Sequence, residues 1–174
     1  HRITLNPDFS YYIDRHSSSA QPLQVSLHQA PSGKLIKVLE DNSELEEEVA
    51  SYQMGTKEYT QVPVGDTLKL KAYIIKSTDF DSTKTYPILM FVYGGPGSQM
   101  VMDRWMAGHE PWFHYLAEQG YLVACVDNRG TGARGKDFRT VTYNTLGKYE
   151  VEDQTASARY FGDLPYVDAD RIGI

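Results

Sequence analysis

Pro87-Ile88-Leu89-Met90-Phe91-Val92-Tyr93-Gly94-Gly95-Pro96-Gly97 joins an apolar run to a glycine- and proline-rich turn, with a tyrosine at the junction. An apolar run without alternation is the pattern of a strand buried on both faces, as in a parallel sheet covered by helices. The pattern returns at residues 121–126, with a helix expected between the two at 112–118. A longer helix is expected from about 147 to 161, before the closing Arg171-Ile172-Gly173-Ile174. Strand, helix, strand, helix, strand is the order of an α/β fold with a parallel sheet. The longer helix places Glu150, Glu152 and Asp153 early and Arg159 late, as a helix dipole favours. Val151, Thr155 and Ala158 form its expected packing stripe.

Upstream of the quoted stretch, β-type runs at 58–62 and 67–75 flank the hairpin signal Val64-Gly65-Asp66, and a polar loop fills 77–86. Residues 1–40 differ. Short β runs at 2–5, 9–14, 23–28 and 34–39 are separated by Asn6-Pro7-Asp8, Ser17-Ser18-Ser19 and Pro31-Ser32-Gly33. Turn signals every 8–12 residues or so are those of an antiparallel sandwich or propeller. So few strands close nothing, so this segment is expected to be part of a larger β assembly. Ser43 and Glu46 have the spacing of a capping box and predict a short helix to about residue 51, its acids facing solvent.

The chain has 174 residues, 41% of them hydrophobic and 23% charged, the composition of a folding globular chain. Its formal net charge is −6, all of which can be assigned to Glu40, Asp41, Glu44, Glu46, Glu47 and Glu48. The rest is neutral and offers no basic stripe for a phosphate backbone, so no nucleic-acid partner is expected. One cysteine, Cys125, cannot form an internal disulfide and reads as a buried strand thiol. No apolar run is long enough for a membrane helix, and no signal-peptide pattern opens the chain.

Two motifs point elsewhere and are set aside. Gly130-Thr131-Gly132-Ala133-Arg134-Gly135 matches a dinucleotide fingerprint. That fingerprint opens a helix directly, whereas residues 136–144 are rich in β-branched and polar types, and Glu150 lies in a helix rather than at a strand tip. A nucleotide-binding oxidoreductase is the remote alternative. His109-Glu110-Pro111-Trp112-Phe113-His114 looks like a zinc motif, but histidines five apart sit about 140° around a helix. They are expected in a loop and on a helix surface, and neither a metal site nor a cofactor is expected.

Tyr93 is the candidate for chemistry. In open α/β sheets ligands bind beyond the carboxyl ends of the strands, and a phenol, protonated at neutral pH, can donate to a developing oxyanion. The plain alternative is a turn whose tyrosine packs. A hydrolase of this class also needs a Gly-x-Ser-x-Gly elbow. Ser98 follows Gly97 but is followed by Gln99 and Met100, and no serine of the chain sits in that motif.

Tyr86-Pro87 with Phe91-Val92-Tyr93-Gly94-Gly95-Pro96, Asp127-Asn128-Arg129-Gly130-Thr131-Gly132, residues 146–154 (LGKYEVEDQ) and Arg171-Ile172-Gly173-Ile174 together resemble the dipeptidyl peptidase IV branch of the prolyl oligopeptidase family. Val38-Leu39-Glu40-Asp41-Asn42-Ser43 is similar to the end of that family's propeller. The resemblance implies a β-propeller followed by an α/β-hydrolase domain: residues 1–45 as the last propeller strands, and 46–174 as the first half of the hydrolase domain, stopping before the nucleophile elbow. It implies a serine exopeptidase that removes X-Pro or X-Ala dipeptides from peptides with free N-termini, with Tyr93 as the oxyanion-hole donor. The family's serine, aspartate and histidine would follow Ile174 and its ammonium-binding glutamates would precede His1, so the 174-residue chain alone is expected to be inactive. A member lacking the serine would instead be a non-catalytic interaction protein. The resemblance further suggests a homodimer and a periplasmic, secreted or membrane-anchored setting.

Overall fold

The computed structural model describes residues 1–105 and 108–174. They form two compact units, His1–Gln53 with Asp103–Glu110, and Met54–Met102 with Pro111–Ile174.

The first unit is an antiparallel meander of β1 (Arg2–Leu5), β2 (Tyr11–Ser18), β3 (Gln21–Gln29) and β4 (Lys34–Glu40), followed by helix α1 (Ser43–Ala50). Each β run expected in residues 1–40 is present. The second run continues to Ser18, into the expected serine loop, because the ladder to β3 extends to the Ser18–Gln21 pair. Asp103 ties its segment to this unit by accepting the Ser19 N–H at 2.6 Å and the Ser19 hydroxyl at 2.9 Å. The expected capping box of α1 does not form. Asn42 takes the N-cap with φ 55°, and the Ser43 N–H donates instead to Asp41 Oδ1 at 3.0 Å. Asn42 itself reaches back to the Leu23 carbonyl, which favours the left-handed turn over a serine cap.

The second unit holds a five-stranded sheet of β5 (Thr56–Val64), β6 (Leu68–Lys76), β7 (Tyr86–Phe91), β8 (Leu122–Asp127) and β9 (Val167–Gly173), in the order β5-β6-β8-β7-β9. The expected parallel arrangement covers β8, β7 and β9, while the β5–β6 hairpin adds two antiparallel pairings. Helices α2 (Glu110–Glu118), α3 (Lys136–Thr140) and α4 (Lys148–Gly162) complete it.

Period-2 alternation sends the strand side chains into two cores. Leu70, Ala72, Ile74, Leu122, Ala124 and Val126 face one side with Phe161 of α4. Tyr73, Ile75, Val123 and Cys125 face the other with Phe113 and Ala117 of α2. β8, between β6 and β7, is buried at every position. β7 is fully buried on one face only, at Ile88 and Met90, while Leu89 and Phe91 are half-buried. Burial of the Cys125 thiol pushes its pKa up to about 12, so it behaves as a core hydrophobe.

Three further expectations are corrected. His114 is buried rather than on the helix surface, because Glu110, Phe113, His114 and Ala117 make the inward stripe of α2 and Trp112 and Tyr115 the outward one. A one-turn helix, α3, does follow Gly135, where residues 136–144 read as non-helical. The inward face of α4 is Asp153, Gln154, Ser157 and Phe161; of the expected stripe Ala158 packs against the core, while Thr155 is exposed and Val151 is 63% exposed. The helix faces polar loop backbone as well as core, so its stripe is mostly polar.

Candidate active site

The strand order locates the site. From β7 the chain passes to α2 on one face of the sheet, and from β8 it passes to α4 on the other. Where adjacent parallel strands send their connections to opposite faces, the loops at their carboxyl ends part and leave a crevice. Here those loops are residues 92–102, after β7, and 128–135, after β8. Tyr93 lies in the first, two residues past the end of β7 and 66% exposed.

In this chain hydrogen bonds bridge that crevice and join the two loops into one wall. The Gly97 N–H donates to the Gly130 carbonyl at 2.9 Å, and the Gly132 N–H to the Ser98 carbonyl at 2.6 Å. The Asn128 side-chain amide donates to the Gly94 carbonyl at 3.2 Å. Asp127, the last residue of β8, accepts the N–H groups of Met100 at 2.9 Å and Val101 at 3.1 Å. Burial raises the Asp127 carboxyl above its ordinary range, against the pull of those two donors.

The glycines serve this close approach. A Cβ on Gly130, at φ +96°, would meet Thr142 Cγ2 at 2.7 Å, and one on Gly132 would meet the Gly97 carbonyl at 3.0 Å. The first two glycines of the apparent fingerprint are thus required by contacts within the chain. Gly95 meets the same limit from the tyrosine: a Cβ there would lie 3.0 Å from Tyr93 Cε1. A glycine at 95 makes room for the phenol ring against the loop while Tyr93 stays largely exposed.

Helix α4 supports the wall from beneath. The buried Asp153 carboxylate accepts the Arg129 N–H at 2.7 Å, and its Oδ1 accepts the Arg129 guanidinium at 3.0 and 2.7 Å. Glu152 adds a contact at 3.2 Å, and the Tyr149 ring lies 4.4 Å from the guanidinium carbon. Asp153 first, and Glu152 with it, hold the Arg129 pKa above its already high ordinary value. Next along the helix, the Gln154 amide donates to the Val126 carbonyl at 3.1 Å and to Asn128 Oδ1 at 3.0 Å. A chain of side chains therefore runs from α4 through Asn128 to Gly94, one residue from Tyr93.

Of these residues only Tyr93 stands out as a candidate from sequence. From sequence, Asp153 reads as an acid favoured by the helix dipole and Gln154 enters only with the 146–154 motif; the signal that could have found both is their place on the inward stripe with Phe161. A cleft of about 780 Å³ adjoins the wall, lined among others by Pro96, Gly97, Arg139 and Tyr143. Tyr93 is not among the residues lining this cleft; what the wall offers is a donor in a fixed place, which is what stabilising a transient negative charge requires.

Residues 110–174 match the model of the prolyl oligopeptidase family. The chain is 39% identical over 150 residues to prolyl endopeptidase FAP of Bos taurus, covering 86% of this chain and 19% of that protein. It is 35% identical over 167 residues to the Aspergillus flavus protein named "Probable dipeptidyl peptidase 4", covering 94% and 21%. The crystal structure of Porphyromonas gingivalis dipeptidyl peptidase 4 superposes with a TM-score of 0.94 at 46% identity, over 99% of this chain and 24% of that one. The chain thus spans about a fifth of the length of the curated relatives it matches. With the end of a β-propeller in its first unit and part of an α/β-hydrolase domain in its second, the chain belongs to the dipeptidyl peptidase IV branch of the prolyl oligopeptidase family.

Proposed function

We propose that the protein is a serine exopeptidase that releases X-Pro and X-Ala dipeptides from free peptide N-termini by acyl transfer, with the Tyr93 hydroxyl as a donor of its oxyanion hole. A serine attacks the scissile carbonyl, a histidine takes its proton and an aspartate orients the imidazole. Tyr93 is the one participant this chain supplies. As the carbonyl becomes tetrahedral, its oxygen gains negative charge, and a donor already fixed in place stabilises that charge without reorganising.

The observation that carries this reading is the position of Tyr93. It is an exposed phenol at the carboxyl end of β7, on a loop held through Gly94 by Asn128 and α4. The test is Tyr93→Phe in the intact protein, assayed on Gly-Pro-p-nitroanilide. Losing one oxyanion donor lowers kcat by roughly 10²–10³-fold, with KM nearly unchanged because the ground-state carbonyl gains little from the donor. Unaltered turnover would remove Tyr93 from the mechanism. A wild-type protein without turnover would favour the non-catalytic interaction protein of the same fold.

A further inference from the structure

We propose that His1, Asp14 and His16 form a binding site for a divalent transition-metal cation on the β1–β2 ladder. The ladder itself assembles the three. Arg2 pairs with Arg15 and Ile3 with Asp14, so extending the register by one step sets His1 opposite His16. Side chains two apart share a strand face, which puts Asp14 and His16 on the face that His1 meets.

One ligand atom from each residue lies within 4.8 Å of the others. His1 Nδ1 is 3.0 Å from Asp14 Oδ2, and the rings of His1 and His16 stack with centroids 4.9 Å apart. Ligands at Zn–N and Zn–O distances of about 2.0–2.2 Å in a tetrahedron lie about 3.3 Å from one another. Side-chain rotations that move the donor atoms by about an ångström therefore bring the set to coordinating distance.

A second observation points to a ligand. His16 Nδ1 is shut away from solvent and has no hydrogen-bond partner among the described residues. An unsatisfied buried polar atom is costly, and a cation there would take its lone pair. The Asp14 side chain is only 15% exposed, so its carboxylate charge is little screened by water within this cluster. Two imidazoles and one carboxylate are a donor set for zinc and its first-row neighbours, with room for water, whereas calcium and magnesium require mostly oxygen ligands. Bound there, the ion would clamp the start of β1 onto β2.

The experiment is titration of the intact, chelator-stripped protein with zinc chloride by calorimetry, followed by cobalt(II) chloride by visible absorption. The wild type is expected to bind one more equivalent of zinc than Asp14→Asn or His16→Gln, or to bind it at least 10-fold more tightly, since even loss of a partner one shell beyond the ligands costs about 10–100-fold. Zinc should also raise the melting temperature of the wild type more than that of either variant. His28→Ala is the control: its ring nitrogens already contact Ser26 Oγ at 2.8 Å and the Gly33 carbonyl at 3.1 Å, so zinc binding should not change. Circular dichroism of the metal-free variants establishes that they fold, and His1→Ala, at the exposed end of the site, is the variant least able to disturb the sheet. Equal zinc binding by wild type, His1→Ala and Asp14→Asn would overturn the proposal, as would a cobalt spectrum with no wild-type-specific band.

Discussion

The two sheets of this chain are built on opposite principles. Among residues 1–53 only Pro22 and Ser26 are buried, and every residue of β4 is exposed, with Leu35, Ile36, Val38 and Leu39 each 46–50% accessible. In the second unit all six residues of β8 are buried, and the strands beside it feed a core on each face. Within these 174 residues the first sheet is held by its backbone ladder and turns and leaves its apolar side chains uncovered, as one piece of a propeller would, whereas the second packs both of its faces. A site that must hold a donor needs a sheet of the second kind.

The sharpest way to break this contrast is Asp153→Ala. It strips the carboxylate from beneath Arg129, a guanidinium only 22% exposed, and removes the acceptor of the Arg129 N–H. Breaking a buried pair from one side costs about 3–5 kcal/mol, to be read as a fall in the urea midpoint. Asp168→Ala, which removes a pair to the exposed Arg171, should leave the midpoint unchanged. Equal effects from the two would mean that the loop wall does not rest on α4. A smaller effect comes from Leu122→Ala in β8, expected to cost about 2–5 kcal/mol by leaving a cavity. Leu35→Ala in β4 should cost no more than about 0.5 kcal/mol. A Leu35 effect as large as that of Leu122 would show that β4 has a core of its own.

What sequence reading could reach follows the same division. The β8 run is legible because burial on both faces leaves little room for polar residues, the β7 run because its half-buried face is apolar as well, and the β1–β4 meander because turns punctuate it. Tyr93 is legible because a polar aromatic ends an apolar run at a glycine turn. The support beneath it is not, since Asp153 and Gln154 are buried polar residues whose partners, Arg129 and Asn128, lie about 25 positions away. Helix-dipole reasoning explains acids in a first turn equally well, and here the specific partner decided the matter. His1, Asp14 and His16 escape a search for local ligand spacing because only the antiparallel register makes residues 13 and 15 apart neighbours. The α1 cap is not legible because Ser-x-x-Glu spacing is silent about a left-handed asparagine one residue earlier.

The finest test of the contrast is the pH dependence of stability. In the first unit the shifted carboxylates, Asp8 and Asp41, are exposed and held low by hydrogen bonds from Ser10 and Ser43. Asp127 in the second unit is shifted the other way by burial, although Met100, Val101, Lys71 and Arg134 all oppose it. A raised folded-state pKa means that the folded protein binds the proton more tightly than the unfolded chain. The stability this contributes is fully present below the unfolded value near 3.8 and is lost as pH rises through the folded one. Asp8, Asp41 and Asp168 have the opposite sign, so the wild-type curve alone mixes the two. Subtracting the curve of Asp127→Asn, which does not titrate, isolates the buried group. The stability advantage of wild type over this variant should shrink as pH rises above 3.8 and through the higher folded-state value, measured by urea midpoints at closely spaced pH values. An advantage that grows instead would mean that the two backbone donors outweigh burial, and that the loop wall is held by an aspartate comfortable with its charge.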